Sequence, residues 1–169
     1  EYQFKYSHKK NISENGAKST SNERLPVILL LDGITDPGNV GMIFRLADAL
    51  NIEKILIFNY QKRFNEKVLF KRSRATINYV DHEYCDDIKE IVALKKIYSL
   101  ILLEKTNKSK DYREFKAEKP ICLVLGSEKY GISDELIELS DQSLHLPMNG
   151  VNTSINVATA AAVILYDIY

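Results

Sequence analysis

The apolar residues of this chain fall into two alternating rhythms. Val27-Ile28-Leu29-Leu30-Leu31 is an unbroken apolar run, the pattern of a strand buried on both faces. From Val40 to Leu50 the rhythm changes, with Val40, Ile43, Phe44 and Ala47 at the spacing of one helix face. Lys54 to Phe58 predicts a second strand, and the basic stretch from 61 to 76 reads as partly helical. A helix follows from Asp86 to Leu94, with Ile88, Ile91 and Val92 on one side. Ile97 to Leu103 and Ile121 to Leu125 are further buried strands. Ser133 to Leu139 reads as a helix capped by Ser133, with Glu135 placed to favour its dipole. Ser143 to Leu146 is a short strand, and Ser154 to Ile168 is a long last helix. Strands alternating with helices predict an α/β fold, a mostly parallel sheet covered by helices on both faces. Ligands of such sheets gather at the carboxyl ends of the strands.

Composition narrows the picture. The 169 residues suffice for one domain with a sizeable core. Residues 1–24 are polar, rich in Lys, Asn and Ser and without periodicity, so they read as a flexible arm or linker before a domain from 25 to 169. The first residue is Glu1, not Met, which leaves room for an upstream domain. No apolar run is long enough to span a bilayer, and no signal peptide opens the chain, so a cytoplasmic location is expected. Cys85 and Cys122 lack metal-type spacing and read as reduced thiols. Lys+Arg and Asp+Glu number 23 each, so the chain lacks the basic excess of a general nucleic-acid coat protein. A local basic patch remains at Lys62-Arg63 and Lys71-Arg72-Ser73-Arg74. It reads equally as a solvated helix face.

Three loops begin where predicted strands stop. In the first, Asp32 to Gly41, Gly38 permits a tight turn and Gly41 lets another backbone approach. Asn39 sits near a helix start that favours anions, and Arg45 follows by about a turn and a half. Arg45 could grip a phosphate. Composition alone favours a plainer reading, with Asn39 a cap and Arg45 a solvated side chain. The second loop is Gly126-Ser127-Glu128-Lys129-Tyr130-Gly131-Ile132-Ser133. It lacks the Gly-Lys-Ser/Thr ending of a phosphate-binding P-loop. The third, Leu146-Pro147-Met148-Asn149-Gly150 to Asn156, turns at Gly150 and enters the last helix, with Ser154 as a cap and Asn156 inside its first turn. His145 reads as structural, and no Ser-His-Asp set or metal cluster emerges.

The last helix carries two apolar stripes, Ile155, Ala158, Ala162 and Leu165, then Val157, Ala161, Ile164 and Ile168. A helix apolar on more than one side must be covered twice, which points to a homodimer built on this helix.

In order and spacing, the three loops together resemble the three motifs of the SpoU family within the SPOUT superfamily of methyltransferases. The first is Asp32…Asp36-Pro37-Gly38-Asn39-Val40-Gly41…Arg45, the second Leu125-Gly126-Ser127-Glu128…Gly131-Ile132-Ser133, and the third Leu146-Pro147-Met148-Asn149-Gly150…Ser154-Ile155-Asn156-Val157. Lys129 and Tyr112-Arg113-Glu114-Phe115 look most like the branch that methylates tRNA guanosine. Ala158, Leu46 and Asn152 depart from the family's usual residues.

The resemblance implies a trefoil knot in the C-terminal part, S-adenosylmethionine as cofactor, and a homodimer that completes the site. It implies methyl transfer to a ribose 2′-OH of RNA, with tRNA favoured over rRNA. Asn39, Arg45, Glu128, Ser154 and Asn156 would carry catalysis. Leu125, Gly126, Ser127, Glu128, Gly131, Leu146, Met148, Ser154 and Asn156 would hold the cofactor. Arg45, Arg63, Lys71, Arg72 and Arg74 would contact RNA. A catalytically silent RNA-binding relative is the alternative. A dinucleotide-binding domain would want Gly-x-Gly-x-x-Gly after the first strand, which Asp36 to Gly41 does not provide.

Overall fold

The computed structural model of the chain describes residues 23–118 and 120–169. Most of the polar arm, residues 1–22, lies outside the described residues. The strands are β1 (Leu25–Asp32), β2 (Ile52–Phe58), β3 (His82–Tyr84), β4 (Ser99–Leu103), β5 (Lys110–Asp111), β6 (Ile121–Gly126) and β7 (Gln142–His145). The helices are α1 (Pro37–Ala49), α2 (Glu66–Arg72), α3 (Ile88–Leu94), α4 (Asp134–Leu139) and α5 (Val157–Ile168). The strands form one sheet in the order β3-β2-β1-β6-β4-β7-β5, and every strand pairing is parallel. The two last strands fill gaps among earlier ones, β6 between β1 and β4, β7 between β4 and β5.

The sheet is covered on both faces, as the alternation predicted. Val27, Leu29 and Leu31 of β1 and Ile121, Leu123 and Leu125 of β6 pack on one side with α1, α2 and α5. Ile28, Leu30, Cys122 and Val124 pack on the other with Ile91 of α3 and Leu136 of α4. Each Val, Leu or Ile among them, fully buried, contributes about 1.5–3 kcal/mol. Val40, Ile43, Phe44 and Ala47 are all completely buried, which anchors α1. Burial pushes the Cys122 thiol up to about 12 and the Cys85 thiol up to about 11. Both are free, as expected of reduced thiols. No helix among the described residues is long and apolar enough to cross a membrane.

Several boundaries differ from the sequence expectation. The strand expected from Ile97 begins at Ser99, and Ile97 is 63% exposed. Val92, expected on the buried side of α3, is largely exposed. The edge strands β3 and β5 were not expected, being three and two residues long and mostly polar. The last helix starts at Val157, not Ser154, and its N-cap is Asn156. Its two apolar stripes merge into one broad buried arc of Ala158, Ala160, Ala161, Ile164 and Leu165. A third side carries the outward apolar groups, Val163 and Tyr166, with Ile155 exposed before the helix.

Candidate active site

The three loops do meet at the carboxyl ends of β1, β6 and β7. The first turns at Gly33, whose φ of 65° is the left-handed region that favours glycine. Gly38, expected to make that turn, instead sits in the first turn of α1. Asp36 caps α1, accepting from the Asn39 backbone N–H at 2.8 Å, and Pro37 suits the first helical position. Gly41 serves the close approach expected of it. A Cβ there would stand 2.6 Å from the carbonyl carbon of Arg72, so α1 and α2 pack backbone to backbone.

The second loop is tied into a tight bend. Gly131 N–H donates to the Ser127 carbonyl at 2.8 Å, and Ser127 N–H donates back to Gly131 at 3.1 Å. Ser127 Oγ accepts from the Tyr130 N–H at 3.0 Å. A Cβ on Gly126 would come 2.5 Å from the Gly131 carbonyl carbon, so the bend closes only over glycine. Ser133 stands at the N-cap of α4 without a side-chain capping bond. Its N–H donates instead to Asp32 Oδ2 at 2.6 Å.

A polar relay joins all three loops. Asn156 Nδ2 donates to Asn39 Oδ1 at 2.7 Å, and Asn39 Nδ2 donates to Glu128 Oε1 at 2.6 Å. Asn156 Oδ1 accepts from Ala158 N–H at 3.0 Å and Thr159 N–H at 3.2 Å, so capping α5 fixes the direction of its amide. Neither Asn39 nor Asn156 is a bystander cap. Asn39 is 7% exposed, and the relay satisfies both ends of its buried amide.

Two cavities flank this relay. A cleft of about 520 Å³ is lined by Asp32, Asp36, Asn39, Asn59, Glu128 and Ser133, among others. A second cavity of about 290 Å³ lies between the last two loops. Of the residues expected at a cofactor, Gly126, Ser127, Glu128, Gly131, Leu146, Met148 and Ser154 line it. Leu125 does not, because it is fully buried in the sheet. Asn156 stands beside it in the relay. Glu104 and Lys105, just past β4, also line the cavity and were not singled out from sequence. The signal available was the apolar strand that ends immediately before them. Asn59 was missed in the same way, and Asp32 opens the first motif but was given no role there. Asp32 is 2% exposed and accepts from Asn59 Nδ2 at 2.6 Å. His145, read from sequence as structural, is hydrogen-bonded to Ser109 at 2.9 Å and also lines the smaller cavity.

Arg45 is not brought into the cleft of its own chain. It is exposed on the outward side of α1. Six residues past Asn39 it stands about 240° further round the helix, so the two cannot face the same way. Arg63, Lys71, Arg72 and Arg74 are exposed too, and among the described residues none of them, nor Arg45, pairs with a carboxylate. Arg63 lies 4.8 Å over the Tyr84 ring. The polar stretch Tyr112–Glu114 forms a 3-10 turn after β5.

Comparison with known proteins agrees with this architecture. The model of the SpoU rRNA methylase family matches residues 26–166. A Staphylococcus saprophyticus protein assigned to the TrmH family of tRNA/rRNA methyltransferases is 30% identical over 155 residues, covering 90% of this chain and 62% of its own length. The chain thus spans less than two thirds of that relative. The SpoU methyltransferase AviRb from Streptomyces viridochromogenes, solved with AdoMet, superposes with a TM-score of 0.76 at 25% identity, over 86% of this chain and 60% of AviRb. The TrmH/SpoU tRNA modifying enzyme of A. aeolicus gives a TM-score of 0.75 at 25% identity, over 86% of this chain and 74% of that one. With three motif loops joined by one relay at the strand ends, and a family model matching nearly the whole described region, the chain belongs to the SpoU rRNA methylase family.

Proposed function

We propose that the protein methylates a ribose 2′-OH of RNA, using S-adenosylmethionine and working as a homodimer in the cytoplasm. The observation that carries this reading is the Asn156–Asn39–Glu128 relay, which stands between two cavities and joins all three motif loops. The smaller cavity suits the cofactor in its chemistry. Leu103, Leu144, Leu146 and Val157 offer apolar walls for an adenine, and the Glu104 and Glu128 carboxylates favour a cationic sulfonium and ammonium. When bound, S-adenosylmethionine supplies a methyl on a sulfonium that is already a good leaving group.

The protein's share is then positioning. Gly126, Gly131, Leu146 and Met148 shape the cofactor cavity, and Ser154 lies at its rim. Asn39 holds Glu128 and Asn156 at fixed distance, which would keep the walls of the two cavities in register for hydroxyl and cofactor. Arg45 grips the target phosphate and polarises the 2′-OH, easing release of its proton to solvent water. A guanidinium offers only N–H donors and no acceptor, so it suits that role better than that of a base.

The outward position of Arg45 makes a second subunit necessary to this reading. α1 and α5 pack side by side, and their outer sides carry Met42, Val163 and Tyr166 exposed. Joining two such faces would bury these groups and carry each Arg45 towards the neighbouring subunit. A C-terminal knot is also part of the proposal. β6 and β7 slot between strands already laid down, and α5 then returns to pack on α1. We favour tRNA over rRNA on the motif residues Lys129 and Tyr112–Phe115. The test is to incubate the protein with labelled S-adenosylmethionine and bulk tRNA or rRNA, then identify the methylated nucleoside by mass spectrometry. A 2′-O-methyl nucleoside from tRNA is expected. Methylation of a base, or of no RNA, overturns the reading.

A further inference from the structure

Beyond the cleft, a separate pocket of about 340 Å³ opens between the β1–α1 loop and the start of α2. It shares Ile34, Thr35 and Gln61 with the cleft as common walls, so the two adjoin. Its other walls include Pro37, Tyr60, Phe64 and Val68, with Lys62 and Arg63 also lining it. The pocket thus sets apolar and aromatic surface beside cations. This is the mixture that receives an unstacked base with its phosphate.

The walls are held in place by the protein itself. The Tyr60 hydroxyl donates to Asp86, and its ring meets Tyr84 edge-on at 4.7 Å between centroids. The Tyr84 hydroxyl accepts from the Phe64 backbone N–H at 3.0 Å. Arg63 rests over the same Tyr84 ring. Asn65 caps α2 by accepting from Val68 N–H at 3.1 Å, which orients the helix that closes the far side. Lys62 and Arg63 have no carboxylate partner among the described residues. The Gln61 amide is exposed and free among those residues to meet the edge of a base.

We infer that this pocket takes the base of an unpaired nucleotide beside the methylated one, so that the enzyme selects single-stranded rather than duplex RNA. This rests on the reading that the cleft holds the target ribose. A further cavity adjoins the pocket. It shares Arg63 and Phe64 with the pocket and adds Phe70, His82 and Tyr84, giving the strand a way onward along α2 past Lys67. A duplex could not follow this path, since its bases are stacked and paired away from any side pocket.

The test uses the full chain and three fluorescein-labelled probes. These are an eight-nucleotide oligouridylate, the same backbone with every base removed, and a blunt RNA duplex of equal length. The oligouridylate is expected to bind at least about tenfold tighter than either of the others, the size of a lost base–aromatic stack. Phe64→Leu keeps the apolar packing and should weaken only the base-bearing strand, by about fivefold or more. Val68→Trp fills the pocket from an exposed helix position and should do the same, which covers the case of a poorly folded Phe64 variant. Equal affinity for all three probes, or a loss in both variants that is equal with and without bases, overturns the inference. Native protein that binds no S-adenosylmethionine by calorimetry would instead overturn the parent reading. Native protein that methylates bulk RNA while both variants keep full base-dependent affinity overturns the pocket alone.

Discussion

Two polar clusters sit within the same cleft and differ in what they leave free. Asp32 is buried at the end of β1 and its two oxygens accept from Asn59 Nδ2 and Ser133 N–H. All its partners belong to the frame, the end of β2 and the start of α4. The Asn39 cluster also ties three elements together, but its chain ends in Glu128, a carboxylate facing both cavities. A carboxylate whose oxygens both meet fixed donors locks a fold, whereas an amide relay that stops at a carboxylate in a cavity leaves that carboxylate facing open space, as the proposed chemistry requires. Breaking the first should cost stability before activity, and breaking the second activity before stability.

The largest effect lies outside both clusters. Arg45→Ala should lower methyl transfer to RNA by a hundredfold or more, on the scale of a lost positioning group (about 10²-fold). Its thermal midpoint should not move, because Arg45 is exposed and unpaired among the described residues. Asn39→Ala should lower transfer by about a hundredfold through a displaced Glu128, with single-turnover rates as the readout. Asp32→Asn puts an N–H against one of two donors. It should cost about 1–3 kcal/mol in denaturant unfolding while leaving turnover of the folded fraction nearly native. An Asp32 variant with native stability and no activity would erase the contrast between the clusters. The smallest effect belongs to the basic patch. Neutralising Arg72 and Arg74 should weaken RNA binding and reduce its salt slope by about one to two. An unchanged slope removes these two residues from the RNA interface.

Much of this arrangement was legible in the chain itself. β1 and β6 are continuous apolar runs because both faces of a central parallel strand are covered, and α1 shows one clean apolar side because one side is covered. β3 and β5 were not legible, because two or three polar residues at a sheet edge bury too little to leave a pattern. At the site, Asn39, Glu128 and Asn156 were found through their motifs. Asn59 was not, and Asp32 opened the first motif without a role, since a single Asp or Asn at a strand end looks like any turn residue until its partner 27 positions away is known. The outward side of α5 was misread because its two inner stripes are adjacent and together fill one buried arc. Arg45 was identified from the motif, but its direction is set by helix phase and became visible only with α1 in place.

The central claim is that the bends after β4, β6 and β7 close around one S-adenosylmethionine. Calorimetry with the native chain and with Gly126→Val tests it most directly. The native protein should bind the cofactor in the micromolar range at one per chain. Gly126→Val, which drives a side chain into the Gly131 backbone, should bind it at least a hundredfold more weakly while the core remains folded by circular dichroism. A native protein that takes up no cofactor at millimolar concentration, or a folded Gly126→Val that binds it as well as native, would contradict the account.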